Sequence, residues 1–110
     1  MNLQHKDLAA GRWQQMTLVE QMANIGSEVE RALNWRAKQN ADYSRKAFER
    51  ALELIDLTLD SVTGMARFKE LSRVREAIVD FFAGSNQFKS TELSWRKYFL
   101  PFTYAARRNC

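Results

Sequence analysis

The chain reads as an all-α protein: an antiparallel four-helix bundle with a short N-terminal extension and a last helix kinked at a proline. Three observations predict this. Apolar residues recur at spacings of three and four in four successive segments, the period of a half-buried helix. Only four Gly and one Pro punctuate the 110 residues. A many-stranded sheet would need a turn about every 8–12 residues. The composition is 45% hydrophobic and 27% charged, and at this length a single core buries roughly two thirds of the surface an unfolded chain exposes. One domain over residues 1–110 can therefore fold without disulfides or metals.

Residues 1–16 form an arm. Leu3 and Leu8 predict a short helix ending at Gly11, with Trp13 laid over the bundle. Helix one is expected over 17–39. Thr17 and Glu20 make a Thr-x-x-Glu capping box, preceded by Met16, which can staple onto the first turn. Leu18, Met22, Ile25, Val29, Leu33 and Arg36 form its stripe. Gly26 lies inside that helix, where it costs up to about 1 kcal/mol relative to Ala unless another backbone approaches closely. Helix two is expected over 42–60 with Asp42 as its N-cap. Its inner face is Phe48, Ala51, Leu52, Ile55 and Leu59, widened by Leu54 and Thr58. The short break before it makes helices one and two antiparallel neighbours. Helix three is expected over 65–83, with Phe68, Leu71, Val74 or Arg75, Ile78, Phe81 and Phe82 facing inward and Gly84 as its stop. Helix four is expected over 90–108, capped by Ser90 or Thr91. Its inner face is Leu93, Trp95, Phe99, Phe102 and Ala106. Pro101 must kink or divide that helix, and the apolar spacing that continues to Ala106 favours the kink.

Charge is uneven along the chain. Residues 1–62 carry eight Lys/Arg against nine Asp/Glu, or −1; residues 63–110 carry nine against four, or +5. The basic half is also aromatic, a combination that can mean nucleic acid. Packing is the favoured reading of those rings. Cys110 is the only cysteine, so no internal disulfide can form. Met1–Ala10 contains His5, Lys6 and Asp7 and lacks the long apolar run of a secretory signal. No stretch approaches the roughly 18 apolar residues of a membrane span. The expected setting is the cytoplasm, with no membrane association.

Several chemistries lack their residues. With His5 as the one histidine, the Glu-x-x-His pairs of di-iron bundles, a structural zinc site and a Ser-His or Cys-His nucleophile are all missing. So are a glycine-rich phosphate loop and the closely spaced Arg and His of HEPN-type ribonucleases. No metal and no cofactor is expected. Two polar groupings remain. Asn24, Glu28 and Arg31 on helix one and Arg50, Glu53 and Asp56 on helix two can converge as a polar seam or a cleft, and such a network more often fixes helix register than supports catalysis. Arg67, Arg73 and Arg75 on helix three, with Arg96, Arg107 and Arg108 on helix four, can form a phosphate-facing patch diluted by Glu70, Glu76 and Asp80.

On helix two, Glu49, Glu53, Asp56 and Asp60 share one row. Glu53-x-x-Asp56 resembles the second half of the motif of small all-α nucleotide pyrophosphohydrolases of the MazG type. That resemblance implies metal-dependent hydrolysis at Glu49, Glu53 and Asp56, but the doubled-Glu first half is absent. A solvated acidic face paired to nearby Lys and Arg is favoured. Across most of the chain, Gly11-Arg12-Trp13, Glu20-Gln21, Asn24 to Val29, Ala51 to Leu54 with Asp56-Leu57-Thr58, and Lys69-Glu70-Leu71 resemble a family of small prokaryotic all-helical proteins without a characterised activity. It implies a stand-alone domain and no catalytic residue. The leading expectation is a non-enzymatic module that binds a protein partner, most simply a second copy as a homo-oligomer, with Trp13, Trp35, Trp95 and Tyr104 as interface rings. A nucleotide hydrolase and a basic RNA- or DNA-binding protein are the alternatives.

Overall fold

Thr17 starts the first helix as its sequence predicts. Its Oγ1 accepts from the Glu20 amide at 3.2 Å while the Glu20 carboxylate accepts from the Thr17 amide at 3.1 Å. The computed structural model describes residues 11–108, so the expected helix ending at Gly11 lies largely outside the described residues. Those described form a 3₁₀ turn at Trp13–Gln15 and four helices: α1 Leu18–Ala37, α2 Ala41–Ser61, α3 Met65–Ala83 and α4 Glu92–Arg108. Among the described residues no helix is long and apolar enough to cross a membrane.

Side-chain pairings give the topology. Along α1 and α2, Trp35 meets Tyr43, Ser44 donates to the Ala32 carbonyl and Arg50 reaches Glu28, so the partner number rises as the α1 number falls. The same inversion relates α3 to α2 through Phe82–Phe48 and Arg75–Asp56. It relates α4 to α1 through Arg96–Glu30 and Phe99 over Gly26, and α4 to α3 through Trp95–Phe81 and Tyr98–Glu70. The helices therefore run alternately up and down. The core lies between them, built on Ile25, Val29 and Leu33 of α1, Leu54 and Ile55 of α2, Ile78 of α3, and Trp95 and Phe99 of α4.

Several expectations need correction. Trp13 is no lid: it is fully buried, and its indole N–H donates to Thr58 Oγ1 at 2.9 Å. Gln21 Nε2 donates to the Trp13 carbonyl at 2.9 Å, so the chain before α1 is tied into one end of the bundle. Trp95 is buried as well, which removes two of the four rings expected at an interface; Trp35 is half-buried and Tyr104 exposed. The cap of α2 is Asn40, whose Oδ1 accepts from the Tyr43 amide at 3.0 Å. Gln39, with φ of 61°, turns the chain so sharply that α2 begins before Asp42. Asp42 falls in the first turn, where a carboxylate complements the helix dipole. Phe68 stays 45% exposed because it lies in the exposed first part of α3, residues 65–70, and the helix enters the core only at Leu71. Of the alternatives at the next position, Val74 is buried. Leu93, expected inside, lies on the outer side of α4.

The loop between α3 and α4 is organised by one side chain. The Asp80 carboxylate accepts from the Gln87 and Phe88 amides at 2.8 and 2.9 Å. Thr91 is the cap of α4, exchanging hydrogen bonds with Ser94. From there the helix continues through Pro101 to Arg108 as one element. The carbonyl freed by the missing proline N–H belongs to exposed Lys97, where water can reach it.

At Gly26 it is an aromatic side chain, not a backbone, that comes close: a Cβ there would sit 2.9 Å from Phe99 Cβ and Cγ. Gly26→Ala should therefore destabilise the protein despite the better helix former, because overpacking costs about 1–3 kcal/mol. A urea midpoint that rises instead would show that α4 can move away freely.

Candidate functional site

Glu28 is a rare carboxylate in this core boundary, only 9% exposed. It lies on the side of α1 that meets α2, and each oxygen has its own guanidinium. Arg31 Nη1 donates to Oε1 at 2.8 Å from one turn along the same helix, and Arg50 Nε donates to Oε2 at 3.1 Å from across the seam. The charge of a buried carboxylate is tolerable only with such partners.

Of the six residues grouped by sequence, the structure brings Glu28, Arg31 and Arg50 together. Asn24 is turned elsewhere, donating to the Glu20 carbonyl at 2.8 Å and lying 3.9 Å from Met16 Sδ. Asp56 faces α3, where Arg75 grips it through Nε at 2.8 Å and Nη2 at 3.4 Å. Glu53 is half-buried one turn beyond Arg50. The acidic row of α2 is thus divided among partners, with Glu49 beside Arg45 at 3.7 Å. Among the described residues no group of three or more His, Cys, Asp and Glu is placed to hold a metal ion.

The six basic residues grouped by sequence occupy separate places. Arg75 lies in the seam between α2 and α3. Arg96 lies in the seam between α1 and α4, held by Glu30 at 2.9 Å and Glu92 at 3.4 Å. Hydrogen bonding to Asp56 raises the Arg75 pKa, and bonding to Glu30 raises that of Arg96, so both stay charged at every accessible pH. Arg67 and Arg73 are exposed on α3, while Arg107 and Arg108 are exposed at the end of α4, with Arg108 over the Tyr104 ring.

Two surface arrangements lie outside these groupings. One is the outward side of α4, where Leu93, Leu100 and Tyr104 stand opposite Trp95 and Phe99; their spacing of seven and four is the signal that could have found them. The other is the side of the α1–α2 hairpin that carries Trp35 and Tyr43, whose rings meet edge to face with centroids 4.8 Å apart. That arrangement joins residues from both sides of a turn, so it has no linear motif. Comparison of the chain with models of known protein families, with curated proteins and with solved structures gives no match.

Two measurements test this electrostatic layout. Glu28→Ala strands two guanidinium groups, one of them only 27% exposed, and should cost about 1–3 kcal/mol in urea denaturation. Asp56→Ala breaks an exposed pair and should cost under about 1 kcal/mol. Equal losses would contradict the distinction. The second concerns Tyr98, whose hydroxyl donates to Glu70 at 2.7 Å. Burial first, and then that bond, raise its pKa above the ordinary value. The native state therefore favours the neutral phenol. That stabilisation is complete below the ordinary tyrosine pKa of about 10 and is lost as pH climbs from there through the raised value. Tyr98→Phe should flatten the alkaline fall in the urea midpoint.

Proposed function

We propose that this chain is a helical interaction module that pairs with a second copy of itself through the outer side of α4. The observation that carries the reading is the second apolar stripe on that helix. At about 100° per residue, Leu93, Leu100 and Tyr104 cluster on one side while Trp95, Phe99 and Phe102 occupy the other. The outer three expose 60%, 65% and 63% of their surface, although the inner side alone satisfies the bundle. Three exposed apolar side chains on one side of a helix, with exposed Lys97 set between Leu93 and Leu100, are the pattern of an association surface that mixes apolar contact with charge.

Charge along the helix supports a second copy as the occupant. The stripe begins at acidic Glu92 and ends at Arg107 and Arg108. An antiparallel pairing about a two-fold axis at Leu100 sets each acidic end against the other copy's basic end and opposes the two helix dipoles. It also brings Lys97 toward the partner's Tyr104, where a cation over the ring is favourable. A parallel pairing would set Arg107 against Arg107.

Sedimentation velocity at micromolar concentration should give twice the chain mass. Leu100→Glu, which places a charge on the axis, should weaken the dimer at least tenfold, about 1.4 kcal/mol, with the helical circular dichroism unchanged. A wild-type mass of one chain would overturn the reading.

A further inference from the structure

The turn between α1 and α2 lays two short stripes side by side. Arg31, Trp35 and Lys38 follow one another at spacings of four and three on α1; Tyr43, Lys46 and Arg50 follow at three and four on α2. Because the helices are antiparallel, Trp35 and Tyr43 meet in the middle. Lys38 Nζ lies 5.1 Å from the centroid of the Trp35 ring and Lys46 Nζ 5.4 Å from that of Tyr43. Trp35, Tyr43, Lys46 and Arg50 line a shallow hollow of about 220 Å³. Arg31 and Arg50 share the single carboxylate of Glu28, so the face stays positive even when Glu28 and Glu53 are both counted. Tyr43 is 48% exposed although it has a ring partner.

From this juxtaposition of two accessible rings with four cations, we infer that the α1–α2 face binds single-stranded nucleic acid. Rings provide sequence-tolerant stacking platforms, and cations one turn away track phosphates. A base entering the hollow displaces a lysine ammonium from a ring face, and the flexible lysine swings to the adjoining phosphate. A duplex hides its base faces and leaves the rings nothing to stack on. An acidic peptide would use the cations and not the rings. This inference is independent of self-association, because the face lies on α1 and α2 and a single copy carries all of it.

The optical probe is built in. Trp13 and Trp95 are buried, so quenching of tryptophan fluorescence on adding short oligo(U) or oligo(dT) to the full chain reports on Trp35. Quenching is expected at low salt, with affinity falling linearly on a log–log plot against salt. In anisotropy titrations of a labelled oligonucleotide, Lys38→Ala with Lys46→Ala should bind about tenfold more weakly and lower the salt slope by about 1.4, the contribution of two phosphate contacts to a single strand. Trp35→Leu should bind at least tenfold more weakly, whereas Arg67→Ala with Arg73→Ala should not change binding. Separate oligo(U) and oligo(dT) arms assign the preferred sugar. The inference is overturned by absence of quenching at low salt. It is equally overturned if polyglutamate or duplex binds as tightly as the single strand, or if the lysine pair, whose surface changes leave the fold intact, binds as the wild type does.

Discussion

α1 packs against α2 on one side and α4 on the other, and both approaches are close. Toward α2 the closeness comes from small residues: Ala32 faces buried Ser44, whose hydroxyl donates to the Ala32 carbonyl at 2.9 Å, and Ala47 and Ala51 continue the same seam. Toward α4 it comes from Gly26, where the Phe99 ring occupies the space a side chain would take. The axis of α1 is thereby fixed on two sides, and the other helices take their positions from it. Trp13 completes the frame from below, its indole hydrogen-bonded to Thr58 of α2 and its carbonyl to Gln21 of α1. One residue thus joins the ends of both helices.

With the helix axes set, the charged side chains sort by seam. Glu28 closes the seam between α1 and α2, Arg75 with Asp56 spans α2 and α3, and Arg96 with Glu30 spans α4 and α1. Each is a specific pairing across an interface made mostly of interchangeable apolar contacts, so each opposes sliding of one helix along its neighbour. The two exposed pairs, Arg75–Asp56 and Arg96–Glu30, add little to stability; their contribution is to alignment. Charge outside the seams remains available for other molecules on the α1–α2 face, on α3 at Arg67 and Arg73, and at the end of α4.

The periodicity of the sequence carried the helices and most of the core because burial follows spacing wherever a helix has neighbours along its length. Phe68 fits the stripe of α3 as well as Leu71 does, but residues 65–70 stay exposed and α3 becomes buried only from Leu71, and a linear pattern contains nothing about where burial begins. Leu93 is apolar and adjoins the inner stripe in sequence, but its angular position, nearly opposite Phe102, places it outside. The cap of α2 turned on the left-handed conformation of Gln39, an unusual choice for that residue and invisible in composition. Trp13 was beyond reach because its partner Thr58 lies forty-five positions away. For the polar seam, Glu28, Arg31 and Arg50 were readable from facing stripes. Asn24 and Asp56 were not, since each had a nearer partner whose position depends on side-chain rotation. The charge of the hairpin face was concealed by averaging: residues 1–62 carry a net −1, yet folding gathers Arg31, Lys38, Lys46 and Arg50 on one side.

Around the ring of helices, the edge between α3 and α4 differs from the other three. It is bridged by side-chain tips, with Phe81 and Trp95 at 6.4 Å between centroids and Tyr98 reaching Glu70. The two backbones approach each other less there than at the other three edges. Trp95 Nε1, buried near this edge, has no acceptor among the described residues, so the ring is held by its packing against Phe81 and Phe99. The molecule resembles a book whose spine is the first hairpin and whose covers meet at the fore-edge. Thermal motion that parts the covers disturbs the fewest contacts, which makes that edge the natural place for the interior to become transiently wet.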